Sequence, residues 1–190
     1  LKALKSRHWC CLRGNAVYDF EKTFAEAMGV PHCVLSNGGT TALSASLSVL
    51  GVGPGDEVIT TPNTFIATIN TITNLHALPV FVDIDPDTGS INADLIEAAI
   101  TEHTKAIMPV HIMGQPCDMG RIMAIARRHS LKVIEDACQA HLAEYQGKKA
   151  GTISELGCFS FQTSKTLACG EGGGIVGNNE ELMDKCFTVH

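Results

Sequence analysis

Short apolar runs rich in β-branched residues alternate with stretches of helical period along most of this chain, and that alternation narrows the folds open to it. Residues 32–36, 57–61, 79–83, 105–110 and 131–135 read as strands. Between them, Val17, Phe20, Phe24, Ala27 and Met28 recur at helical spacing up to Gly29. Further helices are predicted over residues 40–50, 64–74, 93–100 behind an Asn92 cap, and to about residue 128 behind an Asp118 cap. Strands separated by helices of about ten residues need crossover connections. The predicted fold class is therefore α/β, a mainly parallel sheet with helices on both faces. After Gly151 the rhythm changes to two short strands, residues 157–161 and 173–177, a return that places one antiparallel strand in the sheet. Residues 180–189 read as a final helix, cut off at His190.

The bulk numbers exclude several classes. A chain of 190 residues, 45% hydrophobic and 18% charged, has the material for one globular domain with a real core. The net charge is −6 and basic residues cluster no further than the pairs Arg127-Arg128 and Lys148-Lys149, so no nucleic-acid footprint is expected. Residues 58–82 carry no acid, Lys or Arg, which raises the question of a membrane span. Six Thr, three Asn, two Pro and a His in that stretch make it strand, loop and helix of a buried layer instead. Residues 1–7 are followed by no apolar core of the kind a signal peptide needs. Eight cysteines, at 10, 11, 33, 117, 138, 158, 169 and 186, form no C-x-x-C pair. Reduced thiols in a cytoplasm are the expectation, with no metal site.

Lys165 stands out against this background. No other charged residue lies between Glu155 and Glu171, and a Gly-rich turn follows it. An uncharged, partly dry setting makes a lysine amine nucleophilic, although most lysines are simply solvated. Asp136 ends the apolar run 131–135, and ligands bind at the carboxyl ends of parallel strands. From position alone it reads equally as a loop acid or a helix cap. Gln139, three residues on, is placed to face the same side; Glu135 competes as the acid but falls on the opposite face of the strand. Gly39-Thr40-Thr41 opens a helix and offers free N–H groups at a positive dipole end, a phosphate seat or an ordinary cap. Phe65 is either core or a ring stacked on a flat cofactor, and position alone favours core. His111 lines a pocket or is a satisfied histidine, the commoner case. A lysine for a Schiff base, an acid for a pyridinium nitrogen and a hydroxyl (Ser160) near a phosphate are what pyridoxal 5'-phosphate (PLP) chemistry needs.

From about Gly14 onward the chain closely resembles the DegT/DnrJ/StrS sugar aminotransferases, which are fold-type-I PLP enzymes. The resemblance rests on residues 37–43, 53–59, 64–68, 79–84, 109–111 with Gly114, 135–140 and 159–173, in order. It implies a three-layer, aspartate-aminotransferase-like large domain occupying residues 1–190, incomplete at both ends and lacking the small C-terminal domain. It also implies roles: Lys165 as the Schiff-base lysine and proton shuttle, Asp136 at the pyridine nitrogen, and Gln139 near the ring hydroxyl. Ser160 with Gly39, Thr40 and Thr41 would seat the phosphate, and Phe65 would stack on the ring. The reaction implied is transfer of an amino group from glutamate or glutamine to a keto sugar, nucleotide-linked, or to a keto cyclitol. Dehydratases of the group carry His at the lysine position, so Lys165 favours transamination. A homodimer, with no nucleic-acid or membrane partner, is implied as well. A non-catalytic binding remnant and a PLP enzyme of another reaction stay open as alternatives.

Overall fold

Strand alternation decides where each layer sits, because successive side chains leave a strand on opposite faces. The structure is a computed structural model that describes Lys5 and residues 14–189. The expectations that fall on Cys10, Cys11, His190 and the amino-terminal leader segment lie outside the described residues. The elements run α1 (Ala16–Met28), β1 (His32–Ser36), α2 (Gly39–Val49), β2 (Glu57–Thr60), α3 (Ile66–Asn74), β3 (Leu78–Phe81) and α4 (Ala93–Ile96). They continue with β4 (Thr104–Ile107), α5 (Met119–His129), β5 (Lys132–Asp136), β6 (Glu144–Tyr145), β7 (Lys148–Lys149), β8 (Leu156–Ser160), β9 (Gly173–Gly177) and α6 (Glu180–Val189).

Seven strands form one sheet in the order β1-β9-β8-β5-β4-β2-β3. Strand β9 is antiparallel to both neighbours, and the other pairings are parallel. The alternation predicted from sequence is thus the one observed, including the single reversed strand. On one face, Val58, Met108, Ile134, Leu156, Cys158 and Ile175 pack with Leu43 and Leu47 of α2, Ile72 of α3 and Met183 of α6. On the other face, Ile59, Ile107 and Val133 pack with Ile122 and Ile125 of α5. Phe159, Phe161 and Val176 pack there with Phe24 and Met28 of α1. The aromatic part of that layer is edge-to-face, with Phe24 5.2 Å from the rings of both Phe159 and Phe161. Two helical layers therefore sandwich the sheet.

Several boundaries differ from the sequence prediction for local reasons. Helix α3 starts at Ile66 and not at residue 64, because Phe65 is extended (φ −72°, ψ 141°) as its N-cap. The predicted helix 93–100 is one α turn followed by a 3₁₀ turn, Glu97–Ala99. The caps fall as expected: Asn92 accepts from the Asp94 N–H and Asp118 from the Arg121 N–H. The β6–β7 hairpin is an addition, turned by Gln146 and Gly147, both at positive φ (50° and 78°), which suits a two-residue hairpin loop. No described helix is long and apolar enough to cross a membrane. The Val58–Val82 stretch is strand, loop, helix and strand, as its polar residues suggested. Cys33, Cys117, Cys138, Cys158, Cys169 and Cys186 are free thiols.

Candidate active site

Because β9 is the one reversed strand, the carboxyl ends of β1, β2, β4, β5 and β8 meet along one edge of the sheet, and a cleft of about 560 Å³ opens there. That volume lies within the range of small-ligand sites, roughly 300–1,000 Å³. Its walls come from the starts of α2 and α3, the turns after β4 and β5, and the loop between β8 and β9.

Asp136 forms the floor. Its backbone is fixed from both sides, accepting from His111 N–H at 3.0 Å and donating to Pro109 O at 2.9 Å. The residue is 5% exposed. Oδ2 accepts from the Thr68 hydroxyl at 2.7 Å and Oδ1 from the Cys138 N–H at 3.2 Å. Gln139 also lines the cleft; its Oε1 accepts from Met113 N–H at 2.8 Å, which leaves the amide NH₂ as the donor it can offer. Met113 is 90% exposed and takes a left-handed backbone (φ 52°), a conformation uncommon outside glycine.

The start of α2 closes one end. Its first internal bond is Ala42 N–H to Gly38 O, so the N–H groups of Gly39, Thr40 and Thr41 precede it, and no side chain caps them. Gly39 is required by close approach: a Cβ there would lie 2.8 Å from Ser160 Cβ and 2.9 Å from Cys138 Sγ. Thr40 and Ser160 line the cleft. Thr41 does not, and its hydroxyl instead donates to Asn37 Oδ1 at 2.5 Å.

Lys165 sits in the β8–β9 loop, half-buried at the cleft wall. The loop is tied down by Lys165 N–H to Gln162 O (2.8 Å), Thr163 N–H to Gly170 O (2.8 Å) and Cys169 N–H to Phe161 O (2.9 Å). Nζ lies 5.9 Å from the centroid of the Phe65 ring, a cation–π contact across the cleft. The described lysines with carboxylate partners are Lys132, Lys149 and Lys185. Phe65 is 63% exposed, so the core position that sequence favoured for it is wrong; as an N-cap it is turned out of the helix packing and into the cleft.

Some residues that contribute here gave no sequence signal of their own. His141 Nε2 meets Ser160 O at 2.9 Å, a carbonyl that can only accept, so this nitrogen carries the ring proton. Nδ1 then accepts from the Thr166 hydroxyl at 3.2 Å, beside Lys165. Burial holds His141 below the ordinary histidine range, and the Lys165 charge pushes the same way against the Ser160 hydrogen bond. Thr64, just before α3, and Thr68, within it, are four residues apart, a spacing visible in sequence, but their link to Asp136 is long-range and is not. Cys138 is among the lining residues, and burial pushes its thiol well above the ordinary value, with the Asp136 charge adding to the effect. His111 and Glu135 stay out of the cleft and on the opposite face. Both are fully buried, 3.0 Å apart, and Cys117 N–H donates into His111 Nδ1 at 3.1 Å.

The sequence matches the DegT/DnrJ/EryC1/StrS aminotransferase family over residues 1–190. The chain belongs to this family. As a DegT/DnrJ/EryC1/StrS member it matches from its first residue, further than the resemblance read from about Gly14. It is 49% identical over 177 residues to a GDP-perosamine synthase of Caulobacter vibrioides, covering 93% of this chain and 48% of that one. The solved aminotransferase from Psychrobacter cryohalolentis superposes with a TM-score of 0.96 at 43% identity, covering 98% of this chain and 47% of that one. NtdA from Bacillus subtilis, solved with bound cofactor PMP, superposes at 0.90 with 39% identity, covering 97% and 41%. The chain spans about half the length of the curated relatives it matches. The sheet order, the two helical layers and the single reversed strand are those of the aminotransferase fold.

Proposed function

We propose that the protein carrying this chain is a PLP-dependent aminotransferase. It would pass an amino group from glutamate or glutamine to a keto sugar, nucleotide-linked, or to a keto cyclitol. The observation that carries this reading is the meeting of Lys165, Asp136 and an uncapped helix start around one cleft. The residues present fit the cofactor's chemistry. The N–H groups of Gly39, Thr40 and Thr41, with Ser160 beside them, suit a phosphate at a helix N-terminus. Asp136 is a nearly buried acid on the cleft floor, able to accept a ring N–H. Gln139 offers an amide donor to a ring oxygen, and Phe65 covers the cleft opposite Lys165.

When bound, PLP supplies an electron sink that makes the carbon next to the amino nitrogen acidic. Lys165 Nζ takes the proton from that carbon and returns it to the neighbouring position, as general base and then general acid. Asp136 would hold the proton on the ring nitrogen. Phe65 would keep water from the ring face. Residues 14–189 would be most of a large domain, and a second copy of the chain with the remaining family length would complete the site. Cytoplasmic residence as a homodimer is part of the proposal; the six cysteines among the described residues are free thiols, in keeping with a reducing compartment.

The experiment is a PLP titration of the full-length protein followed by borohydride reduction and peptide mapping. A visible absorbance band and a reduced adduct at Lys165 are expected, and glutamate should bleach the band. An adduct at another lysine, or no uptake, overturns the assignment.

A further inference from the structure

Two threonine hydroxyls, Thr64 just before α3 and Thr68 in its first turn, form a chain that ends on the Asp136 carboxylate. Thr68 Oγ1 donates to Asp136 Oδ2 at 2.7 Å, and Thr64 Oγ1 lies 2.7 Å from Thr68 Oγ1. Each hydroxyl has a single proton. Thr68 spends its proton on Asp136, so the bond between the two threonines must be donated by Thr64. The chain therefore runs one way, from the cleft wall to the floor. Thr68 is 1% exposed, so water does not replace it if it is lost. With Cys138 N–H on Oδ1, the two oxygens of Asp136 each have a donor, and the carboxylate cannot swing about its own axis. Thr64 lines the cleft with its proton already committed, so toward a ligand its hydroxyl can only accept.

We propose that Thr68 is a positioning residue for Asp136, polarised by Thr64, and that it acts on the reaction only through that carboxylate. This rests on the PLP reading above. A buried charge-assisted hydrogen bond of this kind fixes orientation as well as energy. Its loss should alter how Asp136 meets the ring nitrogen more than it alters the fold, since a valine fills the same space as the threonine.

The test is a double-mutant cycle in the full-length protein: Thr68→Val, Asp136→Asn and the pair, with Thr68→Ser as control. The readouts are PLP affinity, the pH profile of the visible band, the thermal midpoint and the half-reaction with glutamate. Thr68→Val should slow the half-reaction about tenfold, leave KM for glutamate within about twofold and shift the pH profile of the band. Thr68→Ser should stay within about threefold of wild type, and in the Asp136→Asn background Thr68→Val should cost nothing further. An equal cost in both backgrounds, or an unchanged pH profile, overturns the proposal. If Thr68→Val does not fold, Thr64→Val carries the test: a loss of about threefold that Asp136→Asn abolishes supports it, and a loss that persists in that background, or none, overturns it. Wild-type protein that takes up no PLP sinks this inference and the PLP reading together; uptake with uncoupled variants sinks this one alone.

Discussion

Glu135 and Asp136 are adjacent acids at the end of β5, and the two faces of the sheet give them opposite surroundings. Glu135 points to the α1–α5 side, where His111 and the N–H groups of Gly151, Ile153 and Ser154 all reach its carboxylate. Nothing there is left to offer a ligand. Burial pushes the Glu135 carboxyl up, but the His111 hydrogen bond and the backbone donors more than offset it and hold the group below its ordinary range. Asp136 points to the α2–α3 side, where each oxygen has one donor and the cleft lies open above. Saturation of hydrogen-bonding capacity, more than burial or charge, separates the acid closed to a ligand from the one left able to meet one.

Four measurements bear on that contrast. The largest effect belongs to the cleft face. Lys165→Ala should lose the visible band and at least about a thousandfold of the half-reaction, with no fall in unfolding free energy. A variant that lost stability instead would erase the distinction between the faces. Next comes the opposite face: Glu135→Gln should destabilise the protein by about 3 kcal/mol in denaturant unfolding, because an amide NH₂ then confronts backbone donors. Its activity per folded molecule should be retained. The acid limb sharpens this. A carboxyl depressed in the folded state stabilises fully above its ordinary value of 4.5 and loses that stabilisation as pH falls through the lower folded value, so Glu135→Gln should flatten the acid limb of the stability profile.

Asp136→Asn should do the reverse of Glu135→Gln, leaving unfolding almost unchanged and cutting the half-reaction more than about tenfold, above about 1.4 kcal/mol. A near-normal rate in the PLP-loaded variant would remove Asp136 from the chemistry and with it the contrast. Smallest is Phe65→Ala. The ring is mostly exposed, so stability should hold, while PLP affinity falls about fivefold, near 1 kcal/mol. A titration monitored by fluorescence resolves that difference.

Much of this was legible in the sequence because local rules and tertiary context agree. The strands alternate, Asn92 and Asp118 cap the helices they precede, and counting along β5 puts Glu135 on the far face. His111 proved to be the satisfied histidine. Phe65 reads as core from position because it is an apolar residue at a helix start, and only the extended backbone at residue 65 turns it outward. The Thr64–Thr68–Asp136 chain, the Gly39–Ser160 approach and the His141 latch join residues far apart in sequence. Their residue types are ordinary at each position, and no spacing betrays that they meet.

The reversed strand has one more consequence. Since β8 and β9 are antiparallel neighbours, the segment that carries Lys165 is a hairpin loop whose ends are already held together by the ladder. Loop-closure entropy grows slowly, about 0.6 kcal/mol for each doubling of length, so residues inserted there would cost the fold little. The same insertion would free the Lys165 amine from its place across the cleft from Phe65. On the proposed reading this loop is a place where a descendant of the chain can go chemically silent while still folding, and tolerance to insertion in it measures folding and not function.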